Sequence, residues 1–182
     1  MLVEPKVPPS FAILVFRGTD SKRDYVTDFE SGILPWDRNE IGVHKGFRKA
    51  LDSVWDEIEK ELSELVCPIF YTGHSLGGAL ATLAASRYKP QAVYTYGSPR
   101  VGNDAFVRSL QTLPIHRVVD NKDATAWLPP EVLGFRHVGL LQLLTEPQTE
   151  AKEKPFFAPL KVFEEPPRIL ADHAPVNYVD RI

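Results

Sequence analysis

The sequence predicts an α/β protein with a mainly parallel central sheet and helices on both faces. Short apolar runs alternate along the chain with stretches whose apolar residues recur every three or four positions, which is the pattern of strands joined by crossover helices. A glycine-rich turn at residues 73–79 joins one apolar run directly to an apparent helix. The 182 residues suffice for one core but not for two full domains, so residues 1–182 are predicted to form a single domain.

The predicted strands are short, apolar and bounded by turn residues. Residues 11–17 form the first such run, which ends at an Arg-Gly-Thr turn. Residues 68–72 lead into the glycine-rich turn, and Ala92–Tyr96 and 115–119 are two further strands. Residues 135–144 are predicted to form the last extended run.

The predicted helices lie between these strands. Residues 45–66 place their apolar side chains at helical spacing, with acidic residues on the other face. Residues 75–88 are rich in glycine and alanine, which lets a helix pack closely on the sheet. Asn103 is expected to cap a helix that ends at Leu110. Residues 146–167, rich in proline and charge, are predicted to form a long surface loop.

The composition is that of an ordinary globular protein and limits the classes of partner. Apolar residues make up 43% of the chain, and 21 basic against 24 acidic residues give a formal net charge of −3. This charge argues against a nucleic-acid partner, since phosphate binding needs a basic stripe. No run is long and apolar enough to cross a membrane, and residues 1–10 lack the apolar segment of a signal peptide. Cys67 is the single cysteine, which favours a cytoplasmic location, with secretion without disulfides as the alternative.

Residues 73–77 read Gly-His-Ser-Leu-Gly between an apparent strand and an apparent helix. In this position a Gly-x-Ser-x-Gly turn is typical of a nucleophile elbow, which exposes a serine at the top of a parallel sheet. Gly73 and Gly77 fit this interpretation because the strand end and the helix start approach too closely for a side chain. Ser75 is therefore the candidate nucleophile.

Candidate partners for the serine follow later in the chain. A serine hydroxyl needs a base within hydrogen-bond reach, and the base needs a carboxylate that fixes its tautomer. His173 lies in the terminal segment, and two acids, Asp120 at a strand end and Asp123 in the loop beyond it, compete for the third position. The order serine, aspartate, histidine is that of α/β-hydrolases.

An oxyanion would need two backbone N–H donors near the serine. Leu76 follows the nucleophile at the start of a helix and supplies one of them. The strand at residues 11–17 ends beside the elbow in a glycine turn, where a second donor is needed.

With these residues together, the chain resembles the class 3 lipases, an α/β-hydrolase family that includes secreted fungal triacylglycerol lipases. The matching blocks run in family order through residues 16–19, 43–47, 72–79, 96–102, 117–119, 123, 128–130, 135–137 and 172–173.

The resemblance implies a serine carboxylic ester hydrolase with Ser75, Asp123 and His173 as its triad. It places the second oxyanion donor at Thr19, beside Leu76, and it implies no cofactor and no metal. The chain departs from the family at its N-terminus, where almost nothing precedes the first strand. It is therefore either a minimal member or lacks an N-terminal part.

Alternatives remain open at this stage. A non-catalytic member of the fold would bind an apolar ligand or partner, and a phospholipase A1, galactolipase or feruloyl esterase would share the same residues. Residues 20–36 form either an interfacial lid or an ordinary amphipathic segment. An apolar cluster at 156–163 either walls the acyl site or ties the late loop down. The open edge of the 11–17 strand predicts pairing with a second subunit, which gives a homodimer, or coverage by that loop.

Overall fold

The computed structural model describes residues 1–3, 11–18, 32–36, 40–120, 123–144, 173 and 175–179. Its strands are β1 Leu2–Val3, β2 Ala12–Phe16, β3 Ile33–Pro35, β4 Gly42–His44, β5 Ile69–His74, β6 Ala92–Tyr96, β7 Ile115–Asp120 and β8 Leu140–Leu144.

Six of these strands form one sheet in the order β1-β2-β5-β6-β7-β8. All neighbours from β2 to β8 pair in parallel, and β1 alone is antiparallel to its neighbour. The predicted mainly parallel sheet is thus confirmed. Because the strands are parallel, the carboxyl ends of β2, β5, β6 and β7 meet at one edge, where ligands bind in such sheets. Strands β3 and β4 form a separate antiparallel pair.

The helices are α1 Lys45–Asp52, α2 Trp55–Ser63, α3 Leu76–Arg87, α4 Asp104–Ser109 and α5 Pro175–Val179, with 3₁₀ turns at Ala124–Trp127 and Glu131–Leu133. Helix α3 contacts β2, β5 and β6, and α1 packs against α3. The predicted cap at Asn103 is present, since its Oδ1 accepts from the Phe106 N–H at 3.0 Å. Helix α5 lies across the other face of the sheet, where Tyr178 contacts Tyr96.

The predicted single helix over 45–66 was wrong, because the structure divides it into α1 and α2. The Ser53 hydroxyl donates to the carbonyl of Ala50 at 2.8 Å, and the backbone of Val54 leaves the helical region with φ −128°. This change of direction leaves Val54 exposed and buries Trp55 and Leu62 in the core. Burial of these large apolar side chains favours the break.

The extended run over 135–144 is also shorter than predicted. Gly139 has φ +89°, and a Cβ there would lie 2.4 Å from the carbonyl oxygen of Ile115. Before this turn, Arg136 makes an isolated bridge to Gly102, and regular pairing begins only at Leu140.

The edge of β2 is paired from within the chain. Strand β1 places Leu2 opposite Leu14 and Val3 opposite Ile13, and the Met1 carbonyl accepts from the Val15 N–H at 2.7 Å. Leu2 and Val3 thus occupy the edge for which the sequence predicted a second subunit or the late loop. The bare edge that motivated the homodimer is absent from the described residues, so this argument for a dimer falls.

Two other expectations lie outside the described residues. The apolar cluster at 156–163 lies wholly outside them, and the candidate lid at 20–36 is described only from residue 32 onward. The end of the lid segment forms β3, which pairs with β4. None of the helices in the described ranges is long and apolar enough to span a membrane.

Candidate active site

Ser75 occupies the sharp turn between β5 and α3. Its backbone has φ +58°, a conformation that a residue with a side chain rarely adopts. A Cβ on Gly73 would lie 2.3 Å from the backbone of Gly77, and a Cβ on Gly77 would lie 2.1 Å from the Phe16 carbonyl oxygen. The two glycines thus permit the close crossing of strand and helix that the motif predicted.

The environment of Ser75 suits an oxyanion site. Leu76 is the first residue of α3, where backbone N–H groups lack intrahelical acceptors and the helix dipole favours negative charge. The end of β2 lies alongside, since a Cβ on Gly18 would be 2.9 Å from the His74 carbonyl oxygen and 3.7 Å from the Ser75 Cβ. Thr19, the predicted second donor, lies outside the described residues, but its neighbour Gly18 reaches this position.

The structure brings His173 and Asp123 together. The Nδ1 of His173 lies 2.7 Å from Oδ2 of Asp123, and the carboxylate is fully buried. The other oxygen, Oδ1, accepts from the Thr125 N–H at 2.9 Å, because Asp123 caps the 3₁₀ turn that follows β7. A carboxylate bonded to Nδ1 leaves Nε2 as the basic nitrogen.

Asp120, the competing acid, is equally buried at the end of β7. Its carbonyl oxygen accepts from the Asp123 N–H at 3.0 Å, and its own N–H donates to the Tyr178 hydroxyl at 3.3 Å. Asp120 thus shapes the loop that carries Asp123, and the Asp123 carboxylate makes the bond to the His173 ring.

Tyr178, on α5, is a site residue that the sequence analysis missed. Its hydroxyl donates to Oδ2 of Asp123, and its side chain is only 2% exposed. Burial and the hydrogen bond to Asp123 raise the pKa of Tyr178, so the hydroxyl keeps its proton. The position five residues after His173 carries no motif, so the sequence held no signal for this role.

Alternation along β5 predicts that the side chain of His74 points away from Ser75. The side chain lies on the opposite face of β5 from Tyr71, and His173 and α5 lie on that same face. The ring of His74 lies 4.6 Å from that of His173 and 5.5 Å from that of Tyr178. Alternation along a strand gives the direction of a side chain but not what packs there.

The other three histidines make their contacts away from the triad. His44 is buried against Phe47 and Phe135, and burial lowers its pKa to about 4. Burial, with the nearby arginines, lowers the pKa of His137 to about 3. His116 stacks on Tyr94 with a 4.9 Å separation of the ring centroids.

A cavity of about 320 Å³ opens at the carboxyl ends of β2, β5 and β6. Its walls mix apolar and polar groups and include Val15, Arg17, Thr72, His74, Tyr96 and Pro175. Within the described part of the chain, no cluster of histidine, cysteine and acidic residues could hold a metal ion.

A family model for class 3 lipases matches residues 13–133, which is more than half of the chain. The chain belongs to the class 3 lipase family. The match covers Ser75, Asp123 and Gly18, and it ends before His173 and Tyr178.

Individual members of the family are similar over most of this chain. The secreted mono- and diacylglycerol lipase 1 of Fusarium solani is 40% identical over 137 residues, which cover 69% of this chain and 41% of that protein. The lipase of Rhizomucor miehei is 34% identical over 160 residues, which cover 75% of this chain and 42% of that protein. The chain thus spans about two fifths of the length of these relatives.

Solved structures agree with the fold. A mono- and diacylglycerol lipase from Penicillium cyclopium superposes with a TM-score of 0.69 at 31% identity, with 78% of this chain and 57% of that one covered. A triacylglycerol lipase whose catalytic centre is a serine-protease triad superposes with a TM-score of 0.66 at 31% identity. The superposition covers 75% of this chain and 58% of that one. The α/β-hydrolase fold expected from the sequence is confirmed.

Proposed function

We propose that this chain carries the catalytic centre of a carboxylic ester hydrolase that acts on fatty-acyl esters of glycerol. The observation that carries the proposal is the contact of His173 with the buried Asp123 carboxylate, at the sheet edge where the elbow presents Ser75. A module that only binds ligand has no use for a desolvated carboxylate held against a histidine, since burying a charge is costly.

The proposed reaction has two halves. His173 accepts the hydroxyl proton as Ser75 attacks the ester carbonyl, and the resulting imidazolium is stabilised by Asp123. The tetrahedral oxyanion binds the N–H groups of Leu76 and Thr19. As the intermediate collapses, His173 gives its proton to the leaving alcohol and an acyl-enzyme remains. Water activated by the same histidine then releases the fatty acid and restores Ser75.

The substrate class is inferred from the relatives. The Fusarium and Penicillium proteins are mono- and diacylglycerol lipases, and two of the similar solved structures are of triacylglycerol lipase. Acylglycerols are therefore the proposed substrates, and contact with a lipid surface is part of the proposal. The proteins from Fusarium and Penicillium are also secreted, which speaks against the cytoplasmic location expected from the single cysteine.

A chain-length series of p-nitrophenyl esters, from acetate to palmitate, tests this proposal. Each ester would be assayed below and above its solubility limit, with Ser75→Ala as the matched control and circular dichroism as the check of folding. We expect saturable turnover by the parent and none above background by the variant. Binding of long-chain esters without turnover would instead favour a non-catalytic lipid-binding protein.

A further inference from the structure

His74 makes a specific contact with the candidate base. Its Nε2 lies 2.9 Å from the backbone carbonyl oxygen of His173, 99 positions away in the sequence. The two imidazole rings pack with 4.6 Å between centroids and an interplanar angle of 32°. The contact therefore includes both a hydrogen bond to the main chain and packing of one imidazole ring against the other.

The chemistry of this contact fixes the state of His74. A carbonyl oxygen only accepts, so the Nε2 of His74 carries the proton and donates it. Burial, and to a smaller extent the charge of protonated His173, lowers the pKa of His74 to about 4. At neutral pH the ring is uncharged. It donates this bond without placing a second positive charge beside the imidazolium that forms on His173.

The position of His74 in the chain connects this contact to the nucleophile. The next residue is Ser75, whose N–H donates to the Tyr96 carbonyl at 2.9 Å and whose backbone is held by the elbow. Asp123 restrains the His173 ring at Nδ1, and His74 restrains the main chain of the same residue. Asp123 and His74 thus restrain the candidate base at two separate points, its ring and its main chain.

We propose that His74 is a positioning residue for the general base. The Nε2–H of His74 donates to the carbonyl of His173, and the ring of His74 packs against one face of the His173 imidazole. Together these contacts keep Nε2 of His173 in position for Ser75. The part of this inference that concerns turnover rests on the proposed ester hydrolysis. The part that concerns the His173 ring does not.

The surroundings of the two rings decide which measurements are informative. Asp123 from the loop after β7 and Tyr178 from α5 are ionisable groups that contact the pair directly. Arg17, beyond β2, and Tyr96, on β6, line the cavity next to His74. A change in a pH–rate profile therefore counts only if Asp123 and Tyr178 are intact in every variant compared.

Three variants separate positioning from packing. His74→Leu removes the donor and the ring, whereas His74→Gln offers an amide N–H at a similar reach. His116→Leu is the matched control, because His116 stands on the same sheet but stacks on Tyr94 outside the site. Thermal unfolding would show that each variant folds.

We expect His74→Leu to lower kcat on p-nitrophenyl butyrate by about 10–100-fold with KM within about twofold, since a displacement near 1 Å can cost about 10² in rate. His74→Gln should recover most of this loss, and His116→Leu should match the parent. Proton NMR of the Nδ1–H of His173 gives a readout that needs no turnover. The resonance should be sharp in the parent and in His74→Gln, and broadened or absent in His74→Leu.

Several outcomes would overturn the inference. One is a folded His74→Leu variant with kcat within twofold of the parent and an unchanged Nδ1–H resonance. Another is a His74→Gln variant as impaired as His74→Leu, because only ring packing would then matter. An increase in KM alone would instead indicate that His74 contacts the substrate and does not position the base. If the parent itself hydrolyses no ester, the proposed function fails and the NMR comparison alone decides the role of His74.

Discussion

Replacing Tyr178 with phenylalanine would remove one hydroxyl from the centre of the charge network and leave the ring in place. That hydroxyl donates to Oδ2 of Asp123 and accepts from the Asp120 N–H at 3.3 Å. The aromatic contacts with Tyr96 and His74, at 6.2 Å and 5.5 Å between centroids, would persist. The perturbation is therefore confined to two hydrogen bonds.

The magnitude follows from the kind of bond lost. A hydrogen bond to a charged acceptor contributes about 1.5–3 kcal/mol, and a buried N–H left unsatisfied costs about 1–3 kcal/mol. The second term is reduced here because the bond from Asp120 is long. We expect a total loss of about 2–4 kcal/mol in the free energy of unfolding, which lowers Tm by about 5–12 °C for a chain of this size. Asp123 would also lose one of its restraints, so kcat should fall about tenfold, or about 1.4 kcal/mol in the barrier.

Urea unfolding and ester hydrolysis would be measured on the same preparations. Tyr88→Phe is the matched control, because the Tyr88 hydroxyl donates to a neutral carbonyl, that of Leu62, at 3.4 Å and away from the site. The control should lose less than about 1 kcal/mol and keep its kcat. If Tyr178→Phe lost no more stability than Tyr88→Phe and kept full turnover, the role given to this hydroxyl would be wrong.

Three further predictions concern charges. Asp123→Asn should lower kcat by up to about 10⁴, since the amide favours the wrong histidine tautomer, while Asp120→Asn should cost far less; reversed results in ester assays would move the acid to Asp120. The pKa of His137 is lowered to about 3 in the folded protein, so as the pH falls the unfolded chain binds a proton at this residue before the folded protein does. The contribution of neutral His137 to stability is therefore complete above pH 6.5 and is lost as the pH falls toward about 3. His137→Phe should therefore flatten the acid side of the unfolding profile, by up to about 1.4 kcal/mol per pH unit; an unchanged slope contradicts this. The Nε of Arg117 is buried without a hydrogen-bond partner among the described residues, and Leu141 is the cross-strand neighbour of Arg117. A carboxylate at position 141 would lie opposite this charge, so Leu141→Glu should raise the free energy of unfolding by about 0.2–1 kcal/mol. A lower urea midpoint in this variant would refute the prediction.

Local patterns predicted the fold where the backbone geometry is set by nearby residues. The elbow follows from Gly73 and Gly77, and the cap at Asn103 follows from one side chain. The break at Ser53 was missed because the apolar spacing continues through it, and only burial of Trp55 against the rest of the core explains the change of direction. Strand β1 was missed because two residues carry no periodicity, and their pairing depends on the exposed edge of β2.

The site was predictable to the extent that its residues lie in ordered motifs. Ser75 and Leu76 belong to one turn, and Asp123 and His173 were indicated by chain order and family resemblance. The choice of Asp123 over Asp120 depends on how the loop after β7 folds, which no local pattern specifies. Tyr178 and His74 meet the triad only because His173 and α5 lie on the same face of β5. Contacts between residues so far apart in sequence are set by tertiary packing.

The central claim is that Ser75 is an activated nucleophile, and covalent labelling tests it most directly. The full chain would be treated with an alkyl p-nitrophenyl phosphonate, digested and analysed by mass spectrometry. We expect one phosphonyl adduct per chain, confined to the peptide that contains Ser75, with release of one equivalent of p-nitrophenolate. Ser75→Ala should remain unlabelled. A parent protein that takes up no phosphonate, or a Ser75→Ala variant that hydrolyses esters at the parent's rate, would contradict the account.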